Sequence, residues 1–329
     1  MGPHDALTEI ATLLERERSS RYKSKAFRAA ADAIAELSDA QLADTASLRR
    51  RKGIGESTFA VIAQALAGEV PSYLASLRER AGVPQESQLR GLLKGDLHCH
   101  SDWSDGQTSI ELMVQAARAL GHEYLALTDH SPRLRVANGL SAQRLREQRA
   151  LLPEFSGDSF TLLSGIEVDI LDDGELDQEP GLLAELDIVV ASVHSKLRMD
   201  RAAMTRRMVR AVSHPETNVL GHVTGQLVRG ERGTRPPSEF DPQAVFAACA
   251  EHGVAVEINS RPEREDPPDE LLALAIEAGC LFSIDSDAHA PGQLSLLDYG
   301  AQRAERAGVP AGRIVTSWSL PDLQTWAAR

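Results

Sequence analysis

Cysteine is scarce in this chain of 329 residues. It has three, Cys99, Cys249 and Cys280, an odd number without C-x-x-C spacing. A disulfide scaffold is excluded, and reduced thiols point to the cytoplasm. Aromatic residues make up 4%, too few for a base-stacking sheet. No apolar run approaches the roughly 20 residues that cross a bilayer. The first twenty residues lack the basic-then-apolar order of a signal peptide, so no membrane partner is expected. What remains is ordinary globular composition, 42% hydrophobic and 25% charged, which excludes disordered and collagen-like chains. The length suits two domains, one of them large.

Positive charge is also short overall, with a net charge of -13. The deficit is uneven. Residues 1–94 hold 14 Lys and Arg against 12 Asp and Glu, a charge of +2, so residues 95–329 carry -15. Carboxylates that hold metal ions would account for part of that excess. Net charge therefore does not exclude a nucleic-acid partner.

Residues 5–80 carry apolar side chains at helical spacing: Leu7, Ile10 and Leu14, then Phe27, Ala30 and Ile34, then Phe59, Ile62 and Leu66. Before the last group lies the run 48–57, LRRRKGIGES, where two glycines around one aliphatic predict a tight turn opening a helix. Residues 81–94 mix Gly, Pro and polar residues without a period and are expected to be a linker. From 95 onward short β-rich runs at 96–97, 124–128, 161–168, 187–193, 218–221, 254–258 and 280–284 alternate with amphipathic stretches. About seven βα units predict an α/β fold with a parallel sheet closed as a barrel.

The ends of these strands carry the chemistry. They bring His98 and His100, then Asp105, His130, Glu167, His194, His222, and Asp287 with His289. In a βα barrel the carboxyl ends of all strands meet at one mouth, where active sites form. His98-x-His100 places two imidazoles on one face of a strand, and Asp287-x-His289 repeats the spacing. Imidazole and carboxylate together hold Mn, Zn or Fe, and one carboxylate such as Glu167 can bridge two ions. Six of the ten histidines fall at strand ends, a concentration that structural histidines do not require. His4, His122, His214 and His252 fall elsewhere and are read as structural or solvated, and Cys99 as packing. Asp102, Asp129 and Asp285 are candidates for orienting the ligands.

The motifs His98-x-His100, Ser104-Asp105-Gly106, Thr128-Asp129-His130, Gly165-Ile166-Glu167, Ser192-Val193-His194, Gly221-His222 and Ser286-Asp287-Ala288-His289 resemble those of the PHP (polymerase and histidinol phosphatase) family over about residues 95–329. The resemblance implies a distorted (β/α)7 barrel with three divalent metal ions that hydrolyses phosphoesters. It implies one metal on His98, His100, Glu167 and Asp287, a second on Glu167, His194 and His222, and a third on Asp105, His130 and His289. Within the family the chain is most similar to bacterial family X DNA polymerases. That holds for their PHP domain and for the small helical region here spanning residues 1–80, which is expected to be a helix-hairpin-helix DNA-binding domain. The palm and fingers of those polymerases have no counterpart between the two parts, so polymerase activity is not expected. Val61 stands where animal relatives place a Schiff-base lysine, which argues against lyase activity. Val223 replaces a proline common after the ligand histidine.

The helical region has its own physical sense. Backbone amides at Gly53 and Gly55 can meet a phosphate oxygen. Arg49, Arg50, Arg51 and Lys52 add attraction to the DNA backbone, with Lys23, Lys25 and Arg28 on a separate helix. Lys196, Arg198, Arg229 and Arg261 follow strand ends as candidate phosphate clamps, and Asp129 is a candidate for proton transfer to the leaving group. The expected function is a metal-dependent phosphoesterase acting on DNA ends, gaps or nicks, as a 3′-to-5′ exonuclease or 3′-end phosphatase, by attack of a metal-activated water on phosphorus. The alternative is a small-molecule phosphomonoesterase of histidinol-phosphatase type. A third reading, a DNA-binding adaptor with an inert barrel, sits poorly with an intact ligand set.

Overall fold

The computed structural model describes residues 1–81, 87–229 and 233–328. The chain divides into two compact units, Met1–Pro84 with Pro291–Gln293, and Gln85–Ala290 with Leu294–Arg329. Of the residues read as a linker, 82–86 lie outside the described residues, and Gln88–Leu92 form a short helix capped by Ser87. No helix is long and apolar enough to cross a membrane among the described residues.

The first unit is all helical. Its helices are Pro3–Arg16, Arg21–Ile34, Asp39–Ala43, Thr45–Leu48, Glu56–Leu66 and Ser72–Ala81. Each longer helix buries one stripe: Leu7, Ile10 and Leu14 from the first, Phe27, Ala30 and Ile34 from the second, and Val61 and Ile62 from the fifth meet in one core. Ser38 and Asp44 accept backbone amides at the starts of the two short helices, which stops each from running into the next.

The second unit is a seven-stranded parallel sheet whose order follows the chain. The strands are β1 Gly95–Cys99, β2 Tyr124–Leu127, β3 Thr161–Asp169, β4 Ile188–Ser192, β5 Val219–Leu220, β6 Ala255–Asn259 and β7 Leu281–Asp285. A bridge between Cys99 and Ala288 brings the first and last strands together, so the sheet curls into a barrel. Helices Ile110–Ala119, Ala142–Leu151, Arg201–Val212, Pro242–His252, Asp269–Glu277 and Leu297–Ala307 follow strands on the outside. The β3–β4 connection carries only the short helix Pro180–Leu183, one source of the barrel's distortion.

Strand alternation sorts the residues. On β3, Leu162, Ile166 and Val168 face the outer helices, and on β6 so do Val256 and Ile258. The opposite parity points inward. Early in the strands the inward residues are apolar: Tyr124, Leu163, Ile188, Val190, Val219 and Ala255 pack with Leu323 and Trp326 of the C-terminal helix Leu320–Ala327, closing that end. Later along the same strands inward parity falls on Glu167, Asp169, Glu257, Asn259 and Asp285, all buried. One end of the barrel is an apolar plug and the other a polar mouth.

Candidate metal centre

Glu167 stands at the middle of the mouth. Its Oε2 lies 3.3 Å from His98 Nε2, 3.6 Å from His100 Nε2 and 2.8 Å from His130 Nδ1. Its Oε1 lies 3.2 Å from His194 Nε2 and 2.8 Å from His222 Nε2. Five imidazoles thus surround one buried carboxylate. Around this centre, Asp287 Oδ1 is 3.6 Å from His100 Nε2. Asp105 Oδ1 is 3.5 Å from His130 Nε2 and 3.3 Å from His289 Nε2. All nine expected ligands are brought together.

Two of them depend on unusual backbone. By parity His222 would follow Leu220 outward, but a positive φ of 20° at His222 turns its ring in. Asp287 likewise has φ 50°, a conformation non-glycine residues hold only when their surroundings over-determine it. Gly221 precedes the first turn for a packing reason: a Cβ there would sit 2.3 Å from Ser192 Oγ.

The residues fit divalent metal ions. His98 Nε2, His100 Nε2 and Asp105 Oδ1 are buried with no hydrogen-bond partner among the described residues, a costly state unless another group satisfies them. Three donor groups have their atoms within 4.8 Å of one another: His100, Asp105, His130 and His289; His98, His100 and Asp287; His130, Glu167 and His194. His100 and His130 each belong to two of these groups.

Electrostatics support ligand character. Burial opposes charge on Glu167, but His194, His98 and His130 outweigh it and hold the carboxyl well below its usual range. Burial also disfavours charge on His130, yet Glu167 and Asp105 hold it up at about 10. Burial, reinforced by His289 and His130, pushes His100 down to about 3, leaving a neutral imidazole suited to coordination. Against burial, Arg261, His100 and Arg264 keep Asp287 ionised.

A surrounding layer fixes these side chains. His98 Nδ1 meets Glu257 Oε1 at 2.6 Å, and His194 Nδ1 meets Asp169 Oδ1. Each carboxylate turns the opposite nitrogen of its imidazole toward Glu167, the usual support of a metal-ligating histidine. Arg261 Nη1 donates to Asp287 Oδ1 at 3.0 Å, and Arg264 Nε to Oδ2 at 3.2 Å. Glu257 lies at the end of the sixth β-rich run and so is legible as a mouth residue, though nothing in the sequence assigns it to His98. Spacing alone singles out neither Asp169 nor Arg264, but Asp169 carried a usable signal, since it shares inward parity with Glu167 two positions before it on β3.

Several expected roles change. Asp129 is fully buried and accepts from the Ser101 amide and hydroxyl, Ser104 Oγ and Gln148 Nε2. Its oxygens are occupied, so it braces the loop between His100 and Asp105 and is not placed to pass a proton to a leaving group. Asp285 accepts from the Leu97 amide at 2.8 Å beneath the site, whereas Asp102 is exposed. Lys196 is exposed on Asp172, and Arg198 is exposed. Among the described residues, Arg261 alone of the expected clamps is held against a metal-site carboxylate, its side chain half-buried beside Asp287.

The PHP domain model matches residues 96–261. The chain belongs to the PHP family. It is 37% identical over 243 residues to the "DNA polymerase/3′-5′ exonuclease PolX" of Bacillus subtilis (strain 168), a match covering 73% of this chain and 42% of that protein. The chain thus spans less than half of that relative's length. It is 30% identical over 233 residues to a probable phosphatase of Vibrio parahaemolyticus, covering 68% of this chain and 88% of the relative. A structure of histidinol phosphate phosphatase from Lactococcus lactis, with Zn, L-histidinol and phosphate, aligns with TM-score 0.46 and 21% identity over 65% of this chain and 94% of that one. As a PHP protein with phosphatase-type relatives, the chain is a metal-dependent phosphoric ester hydrolase.

Ahead of the PHP barrel, the helical unit presents Lys23, Lys25, Arg51 and Lys52 as exposed side chains. Arg28 is a correction: its guanidinium forks onto Glu15 at 2.6 Å through both Nε and Nη2, and Glu15 is buried, so the pair holds two helices together. Gly55 is another. Its amide donates to Thr58 Oγ1 at 2.9 Å, a helix-capping bond, and is not left for a phosphate. Gly53 has φ 93°, a backbone conformation that favours glycine, and a Cβ there would also crowd the Ala29 carbonyl at 3.1 Å, so the local structure already accounts for glycine. Arg49 pairs with Glu56 at 2.8 Å and lies over the Phe59 ring.

Proposed function

We propose that the PHP barrel cleaves phosphoesters at DNA 3′ ends, gaps or nicks, as an exonuclease or end phosphatase, with the helical unit as a helix-hairpin-helix that holds the backbone. The carrying observation is the nine-ligand cluster around Glu167. The choice of DNA rests on similarity to the Bacillus protein, which extends over 73% of this chain, and on the exposed cations Lys23, Lys25, Arg51 and Lys52.

In this reading His98, His100, Glu167 and Asp287 hold one divalent ion. Glu167, His194 and His222 hold a second, and Asp105, His130 and His289 a third; Mn, Zn and Fe all suit such donors. The ions would supply positive charge against that developing on the phosphoryl oxygens and would acidify a water molecule. The protein's own contribution is placement. Glu257 and Asp169 set the tautomers of His98 and His194. Arg261 and Arg264 hold Asp287 in one orientation, and Arg264 Nη1, buried without a partner among the described residues, offers a donor to a phosphoryl oxygen.

The test gives the metal-loaded full chain end-labelled gapped DNA and, separately, histidinol phosphate, with His98→Ala as control. Shortening or dephosphorylation of the DNA, lost in the variant, is expected. Phosphate release from the small ester with no action on DNA would replace this reading with the metabolic phosphatase.

A further inference from the structure

Beside the metal centre lies a second cavity of about 220 Å³. Its walls include Asn259, Arg261, Arg229, Arg303, Arg306 and Tyr299. Two of these also touch the metal site: Asn259 Nδ2 donates to Asp287 Oδ2 at 3.2 Å and Arg261 Nη1 to Asp287 Oδ1 at 3.0 Å. The cavity and the centre therefore share a wall, formed where β6 ends.

Arg261 is neutralised by Asp287 and Glu263, but Arg229, Arg303 and Arg306 still face only the carboxylates of Glu265 and Asp269 in the cavity wall, and Asp269 is taken up at 3.3 Å by Arg303. Arg303 is 9% exposed and donates through Nη2 to the Pro267 carbonyl and to Asp269. Its Nη1 is buried and has no partner among the described residues. A buried guanidinium N–H without an acceptor is costly, and in a cation-rich cavity the group that relieves it is an anion. Arg229 uses Nε on the Pro262 carbonyl at 2.9 Å and is otherwise exposed. Arg306 is exposed on the helix Leu297–Ala307. Tyr299, 42% exposed on the same helix, offers an aromatic face on which a base or sugar can stack.

We propose that this cavity binds the second phosphate of the substrate, the phosphodiester one link upstream of the bond being hydrolysed. This rests on the DNA-end reading and narrows it: the preferred substrate is an oligonucleotide strand of at least three nucleotides, not a mononucleotide ester. The size agrees, because about 220 Å³ is below the roughly 300–1,000 Å³ of sites that enclose whole small molecules and suits one phosphodiester with part of its sugar. Guanidinium is the group that grips phosphate with paired donors.

The test compares TpTpT with TpT, which lacks the second link, using Mn²⁺-loaded full-length protein. A third substrate carries an uncharged methylphosphonate at the upstream link of TpTpT. The expected result is a kcat/KM for TpTpT about tenfold above that for TpT, the scale of one charge-assisted contact. The methylphosphonate should remove that advantage, and so should Arg306→Ala and Arg229→Ala, read as the TpTpT to TpT ratio. Tyr299→Ala should lower the ratio by a smaller factor. Cleavage with equal kcat/KM for all three substrates, or a ratio unchanged in both arginine variants, overturns the subsite alone. No cleavage of any of the three by the wild type overturns the exonuclease form of the DNA-end reading, on which the subsite rests, and the subsite with it.

Discussion

The barrel mouth and the helical unit are both dense in charged side chains, but the charges are held differently. At the mouth, five imidazoles converge on one carboxylate, and His98, His194 and Asp287 are each braced by a neighbouring acid or an arginine. On the helical unit the exposed cations lie on a helix surface (Lys23, Lys25) and a turn (Arg51, Lys52), and the groups that looked most specific, Arg28 and Gly55, are already bonded within the unit. A constellation fixed by several strands carries information about chemistry that a run of basic residues does not.

The contrast breaks most visibly at Glu167. Glu167→Gln keeps the shape but removes the charge that five imidazoles share. Activity should fall at least ~100-fold, beyond the 10–100-fold cost typical of losing a supporting group, and bound metal counted by elemental analysis should drop with it. Full metal content and near-normal turnover would show that Glu167 is a bystander.

Glu257→Gln comes next and sharpens the same side. It leaves all nine ligands in place but weakens the acceptor at His98 Nδ1. About 10–100-fold in metal affinity should be lost, recoverable in part by excess metal. A loss that no metal concentration relieves would mean that Glu257 serves only folding.

Protons give a third and gentler test. With only protein groups acting, burial disfavours charge on His98, His130 and His194, yet neighbouring carboxylates raise all three, His130 to about 10. A folded pKa above the unfolded value of about 6.5 gives stability that is complete below that pH and is lost as pH rises toward 10. In chelator the melting temperature should therefore fall across that window. Metal must displace these protons, so loading at pH 7 should release about two or more. Calorimetry in buffers of different ionisation enthalpy reads the number directly, and an enthalpy independent of buffer would refute it.

The two regions also differed in how far they could be read in advance. Along strands, alternation turns residue type into location, so Glu167 and His194 could be placed at a mouth before any coordinates, whereas at His98 the register of β1 shifts between Asp96 and Cys99 and parity alone does not place the ring. His222 needed its chain position after a strand, because its turn inward depends on a positive φ that alternation does not contain. Glu257 and Asp169 had the right parity, but which imidazole each would support depends on how the curled sheet aligns its strands. Arg264 sits in a loop without any period. In the helical unit, Thr58 three residues after Gly55 is a legible capping signal, and it competes with phosphate for the same amide.

On that helical surface, two substitutions separate structural from binding charge. Arg28→Ala would leave Glu15, a buried carboxylate, without its forked partner. Breaking such a pair costs about 3 kcal/mol or more, so denaturant titration should show a destabilised first unit. Arg51→Glu with Lys52→Glu alters two exposed cations and should leave the midpoint nearly unmoved. Its mark should be on DNA instead. Each phosphate contact contributes about 0.9 to the slope of log affinity against log salt for duplex DNA, so the double variant should flatten that slope by about 2. If the slope is unchanged while DNA is still bound, the backbone lies along another face, and Lys23 and Lys25 on the helix Arg21–Ile34 become the next pair to reverse.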